Sequence, residues 1–198
     1  MNWPPSDADL VKHCSDVYND AAAVQLGHVQ YAIEQDDFSL VTIRGSDEAR
    51  DWLQNLSCRP LNYKGFSVHS GYFHAAASLV AAEERLLARP RLCLCGHSAG
   101  GCIALLTAII LLQEYNWKGD LQVFMIGSPW CIDRDTDFIN LTVRRITHVQ
   151  DPIMLTSPTL ALCFRPVGSL DCLWRPSCPH ASHSIHNYKD ILTEADKA

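Results

Sequence analysis

The apolar positions of this chain follow two periods, and the switches between them mark its elements. Near the start, Leu10, Val11, Cys14, Val17, Tyr18 and Ala21 recur at helical spacing. Ser6, with Asp9 three residues on, resembles a capping box, so a helix is predicted to begin there. Val29 to Ile33 and Phe38 to Ile43 read as strands, and the polar turn Glu34-Gln35-Asp36-Asp37 between them predicts an antiparallel hairpin. From Ser46 to Leu56, Ala49, Trp52, Leu53 and Leu56 form an i, i+3, i+4, i+7 stripe, the pattern of a helix with one apolar face. Ser57 to Gly65, with Pro60, reads as a loop. A long helix is then predicted from about Gly71 to Ala88, stopped ahead of Pro90.

Further along, short apolar runs alternate with a longer one. Arg91-Leu92-Cys93-Leu94-Cys95 reads as a buried strand, and Gly101 to Tyr115 is small, apolar and helix-compatible. Leu121 to Ile126 and Arg144 to Val149 predict two more strands. Pro158 to Pro179 is loop-rich, and His183 to Leu192 reads as a closing helix. Strands alternating with helices predict an α/β fold: a mostly parallel central sheet with helices on both faces and an antiparallel hairpin on its N-terminal side. No repeat, low-complexity tract or linker interrupts the pattern, so residues 1–198 read as a single domain.

Composition narrows the partners. Apolar residues at 47% and charged residues at 19% are the balance of a water-soluble globular domain. A net charge of −6 argues against nucleic acid and against an anionic membrane surface, so any transient lipid contact is expected through apolar side chains. The longest apolar run, Cys102 to Leu112, is too short for a transmembrane segment. Residues Met1 to Asp7 lack the basic start and apolar stretch of a signal peptide. Nine cysteines make an odd number, and Cys93, Cys95 and Cys102 fall in predicted core elements; a cytoplasmic location is expected.

The chemistry centres on Gly96-His97-Ser98-Ala99-Gly100, set between the buried strand and the apolar helix. A G-x-S-x-G on a strand-to-helix turn is a nucleophile elbow, where a strained turn lifts a serine out of the sheet and the next amide faces a developing oxyanion. Such a serine needs a base and an acid to orient that base. Asp151 follows a strand and precedes Pro152, which puts a carboxylate at a strand end; Asp171 is its rival. His183 opens the last helix and competes with His186, one turn on. Asp133 and Asp135 read as caps of a following helix, and His97 and His69 as packing and hydrogen-bonding residues. Cys172, Cys178, His180, His183 and His186 cluster, and a Cys172–Cys178 bridge is one pairing open to them in oxidising conditions. Their C-x5-C-x-H spacing is not a standard zinc pattern, so no metal is expected.

These segments, in this order, resemble the class 3 lipase family of α/β-hydrolases. Ile43-Arg44-Gly45-Ser46 with Asp51-Trp52-Leu53-Gln54-Asn55-Leu56 is similar to the family's RG-S/T…WL-x-D/N-L block. Val68-His69-Ser70-Gly71-Tyr72, Gly96-His97-Ser98-Ala99-Gly100-Gly101, Gly127-Ser128-Pro129, Asp151-Pro152-Ile153 and His183-Ser184-Ile185-His186-Asn187-Tyr188 resemble the family's later motifs. The resemblance implies an α/β-hydrolase fold and a serine carboxylester hydrolase acting on small-molecule or lipid esters without a cofactor. It implies Ser98, Asp151 and His183 as the catalytic set, with Ser46 and the Ala99 amide as oxyanion donors. Trp52 and Leu53 would line the substrate as part of a lid over residues 47–64, or else simply pack on the core. Met154 and Leu155 belong to an apolar stretch, Pro152 to Cys163, that is a candidate acyl-binding wall. The alternatives are a phospholipase or other lipid acyl hydrolase, and a catalytically idle binding module on the same fold.

Overall fold

The computed structural model describes residues 3–45, 60–133, 141–155, 163–173 and 183–195. Ser6 caps the first helix, α1 (Asp7–Asp16), its side chain accepting the Asp9 amide. Helical structure stops earlier than the stripe suggested: past Asp16 the Tyr18 and Asn19 amides turn to the Ser15 and Asp16 carbonyls, and Asp20 Oδ1 takes the Ala22 amide in a turn around Ala21. Three antiparallel strands follow: β1 (Val24–Leu26), β2 (Val29–Gln35) and β3 (Ser39–Ile43). β2 and β3 are the expected hairpin; β1 is too short and exposed to leave an apolar signal.

The segment from Ser57 to Gly65 is not a loop throughout. Residues 60–63 form β4 (Pro60–Tyr63), paired with β5 (Phe66–His69) around Lys64 and Gly65, both at positive φ. Two such residues make a tight hairpin turn. The long helix also divides. Its first part is α2 (Ser70–Ala82), and residues Glu84–Ala88 are a 3₁₀ helix. At the break, Tyr31 donates to Glu83 Oε1 at 2.7 Å and Arg85 Nε to Oε2 at 2.6 Å. Burial and that carboxylate push the Tyr31 phenol up to about 12.

β6 (Arg91–His97) then leads into α3 (Ala99–Glu114), followed by β7 (Asp120–Ile126), β8 (Leu141–His148), the short α4 (Pro152–Leu155), β9 (Ser169–Leu173) and α5 (Ile185–Ala195). The sheet runs β1-β2-β3-β6-β7-β8-β9, parallel from β3 onward. β9 lies within the stretch expected to be irregular; its mostly exposed edge position explains the missing apolar run. The predicted stripe of Ala49, Trp52, Leu53 and Leu56 lies outside the described residues.

Alternation along each strand divides the core between two faces. Val41, Leu92, Leu94, Val123 and Met125 face α2 and α3, whereas Leu40, Cys93, Cys95, Phe124 and Ile126 face α1 and α5. α3 is buried all round from Ala99 to Leu111, between the sheet and α2, which is why its sequence is apolar on every side. Cys14, Cys93, Cys95, Cys102 and Cys131 are buried free thiols. Among the described residues, no helix is long and apolar enough to cross a membrane.

His69, buried where β5 meets α2, caps the helix: its Nδ1 accepts the Tyr72 amide and its ring stacks on Tyr72 at 4.1 Å. Burial pushes its pKa from 6.5 down to about 4. Between those values the unfolded chain binds more protons, so stability present above pH 6.5 is lost as pH falls towards 4. His69→Asn keeps a cap acceptor without titrating. Urea unfolding at about pH 7 and about pH 4.5 is expected to show the variant losing less stability on acidification than wild type. Equal losses would contradict this account.

Candidate active site

The strands β6, β7 and β8 end level with one another, and each delivers one part of the site. The amide of Ser98 donates to the Ile126 carbonyl at 2.8 Å, so sheet pairing continues right up to the serine. There the backbone turns sharply, at φ 56° and ψ −125°, and α3 begins. Only small residues permit this geometry. A Cβ on Gly96 would lie 2.3 Å from the Gly100 carbonyl carbon, and one on Gly100 would lie 2.2 Å from the Ile43 oxygen. The G-x-S-x-G spacing is therefore a packing requirement of β6, α3 and β3 together. Ala99 is the first residue of α3, so its amide has no acceptor within the helix.

Ser98 Oγ stands 3.1 Å from His183 Nε2. The other ring nitrogen, Nδ1, meets Asp151 at 3.0 Å from Oδ1 and 2.9 Å from Oδ2. Asp151 follows the end of β8 and is fully buried. Burying a carboxylate is costly unless donors surround it. Besides His183, Tyr188 donates its hydroxyl to Oδ2 at 2.7 Å and the Ile153 amide donates to Oδ1 at 2.9 Å. The Tyr188 hydroxyl in turn accepts the His148 amide at 2.9 Å, which aims its proton at the carboxylate. Burial and the Asp151 charge push the Tyr188 phenol well above its ordinary value, so it stays a donor. Gly127, at φ 53°, completes the pocket: a Cβ there would sit 2.8 Å from Asp151 Oδ2 and 3.0 Å from the Tyr188 hydroxyl. A serine hydroxyl, an imidazole and a buried carboxylate in this order can withdraw the serine proton during nucleophilic attack.

The rivals lie elsewhere. His186 is exposed, its Nδ1 3.4 Å from Ser15 Oγ, and Asp171 is exposed on β9. Asp133 bonds through its amide to the Ser67 carbonyl at 3.0 Å. Asp135, Ser46, Trp52, Leu53, Cys178 and His180 lie outside the described residues, as do the side chains of Met154 and Leu155, whose backbone forms the end of α4. Sequence reasoning gave no role to Tyr188 or Gly127. The signal for Tyr188 was present: it stands five residues after His183, on the buried face of a short helix. Gly127 was visible only as part of a turn.

The model of the family described as Lipase (class 3) matches residues 40–160. No curated protein matches the chain in sequence. Among solved structures, the lipase of Rhizopus microsporus var. chinensis aligns with a TM-score of 0.62 and 21% identity, covering 81% of this chain and 68% of that one. A triacylglycerol lipase from Penicillium expansum aligns at 0.61 and 15% identity, covering 84% and 80%. The Rhizomucor miehei triacylglyceride lipase aligns at 0.59 and 20% identity, covering 77% of this chain and 65% of that chain. At these identities the likeness is one of fold, and this chain spans just under two thirds of the Rhizomucor enzyme.

Gly127 and Gly65 both have positive φ, but nothing lies within 4 Å of a Cβ on Gly65. Comparing alanine at the two positions isolates the crowding around Asp151. Gly127→Ala is expected to be the more destabilising by about 1–3 kcal/mol in urea unfolding. Equal losses would mean that the pocket yields to a methyl group.

Proposed function

The chain belongs to the class 3 lipase family, and we propose from that premise that it is a serine carboxylester hydrolase, a lipase or esterase. The observation that carries this reading is the continuous contact from Ser98 Oγ through His183 to buried Asp151. His183 takes the Ser98 proton as Oγ bonds to the ester carbonyl carbon, and the carbonyl π electrons move onto oxygen. The Ala99 amide and Ser46 stabilise that oxyanion. Its collapse breaks the ester C–O bond, and His183 gives its proton to the departing alcohol. Water then attacks the acyl-enzyme with His183 as base, releasing the acid and restoring Ser98. Every proton and electron pair in this cycle moves among these groups, substrate and water. Asp151 stays ionised and stabilises the imidazolium that forms at each step.

Lipid esters are the proposed substrate class, reached by transient contact with a lipid interface. Support comes from the fold neighbours: those from Rhizomucor miehei and Penicillium expansum are triacylglyceride or triacylglycerol lipases, and another is a fungal lipase whose inhibitor complex serves as a model for interfacial activation. Trp52, Leu53, Met154 and Leu155 are proposed to line the acyl group. The buried free thiols support a reducing, cytoplasmic setting.

Ser98→Ala is expected to abolish both fluorophosphonate labelling and p-nitrophenyl ester hydrolysis while the fold persists. His183→Ala should lose turnover as well, whereas His186→Ala keeps it. Turnover retained in Ser98→Ala would sink the assignment. Folded wild type that neither labels nor turns over would instead identify an idle binding module. Rates across p-nitrophenyl esters of increasing acyl length, and phospholipids, with and without micelles, define the substrate class.

Tyr188→Phe removes one of the donors to Asp151 and takes the Tyr188 hydroxyl away from the His148 amide. It is expected to lower kcat about tenfold with KM little changed. A loss confined to KM would argue against a role in orienting the acid.

A further inference from the structure

A second polar path runs behind the reacting groups and joins the backbones that carry them. Tyr18 stands just past the end of α1, where its hydroxyl meets the Gly45 amide at 3.1 Å and His97 Nδ1 at 2.8 Å. His97 Nε2 reaches the His183 carbonyl oxygen at 2.8 Å. The Gly45 amide can only donate, and the His183 carbonyl can only accept, so a neutral His97 ring carries its proton on Nε2 and leaves Nδ1 as an acceptor. Gly45 therefore donates to Tyr18, Tyr18 donates to His97 Nδ1, and His97 donates from Nε2 to His183. Each donor in such a chain polarises the next.

The path is built into close packing. A Cβ on Gly45 would lie 2.7 Å from both the Tyr18 hydroxyl and the His97 oxygen, so the exit of β3 approaches this closely only as glycine. The Arg44 guanidinium lies over the Tyr18 ring, 4.8 Å from its centroid. His97 itself is buried, its ring 4.8 Å from that of His183. Burial, with His183 beside it, pushes the His97 pKa down to about 3, which keeps the ring neutral.

We propose that His97 and Tyr18 are positioning residues that hold the backbone of His183 and the exit of β3 in register with Ser98. The proposal rests on the reading of Ser98 as nucleophile and His183 as base. The His183 ring is fixed by Asp151 and Ser98, but its backbone takes its place from His97, the residue joined directly to the serine. A displacement of about 1 Å between reacting groups costs on the order of a hundredfold in rate.

The test compares His97→Leu, which removes the donor to His183, with His97→Gln, whose amide can restore it. Tyr18→Phe, lacking a single hydroxyl, serves where His97→Leu does not fold. Kinetics on a p-nitrophenyl ester are read beside crystal structures of each variant. His97→Leu is expected to lower kcat about a hundredfold with KM unchanged, and to lengthen the Ser98 Oγ to His183 Nε2 separation. His97→Gln should recover most of both, and Tyr18→Phe should lose about tenfold in kcat. Unchanged kcat and separation in folded His97→Leu or Tyr18→Phe would overturn the proposal, as would equal losses in His97→Gln and His97→Leu. Failure of the hydrolase reading is told apart by wild type: without turnover or labelling that reading falls, and the measured separation alone decides positioning.

Discussion

The closeness with which α3 leaves β6 is the constraint on which the rest depends. Gly96 and Gly100 let strand, helix and the end of β3 meet at distances that no side chain permits. Because α3 starts at once, Ser98 is raised above the end of the sheet with strained backbone geometry. The helix behind it is buried on every side, so the turn cannot relax without disturbing the largest part of the core. Packing thus holds a conformation that local preference alone would not choose.

A second constraint is electrostatic. Asp151 carries its charge in a fully buried place, and the structure compensates with donors from three directions: His183, Tyr188 and the Ile153 amide. Those donors come from α4, from the turn just before α5 and from α5 itself. They meet only because β8 ends beside β7, where Gly127 leaves room. Beneath Ser98, Tyr18 and His97 likewise tie the backbones of Gly45 and His183 by bonds of one sense. Rigid positioning in a dry setting is what nucleophilic chemistry at a serine needs, since reorganisation is then complete before the reaction begins.

Much of the fold was legible because its core strands are short apolar runs and α3 is uniformly apolar. The strands that sequence reasoning missed share a physical cause. β1 and β9 are mostly exposed edge strands, and β4 is a short strand of alternating exposed and half-buried residues, so none concentrates apolar residues. The break in the second helix follows a contact between Glu83 and Tyr31, residues far apart in sequence. Within the site, Ser98 was marked by its glycines, and Asp151 and His183 by order and spacing. The family resemblance pointed to them over Asp171 and His186, and the structure supplied the contacts between them. Asp171 sits on an exposed edge and His186 faces α1, facts that no local pattern records.

The sequence by itself determined the alternation of strands and helices, the elbow and the order of hydroxyl, carboxylate and imidazole, since each depends on residues close together in the chain. Tertiary structure supplied the contacts themselves, histidine to serine and carboxylate to histidine. It also turned Tyr18, Gly45, Gly127 and Tyr188 from core, turn and motif residues into parts of the site's support. Those roles arise from contacts between segments distant in the chain, where the level ends of parallel strands bring separate loops within hydrogen-bonding reach.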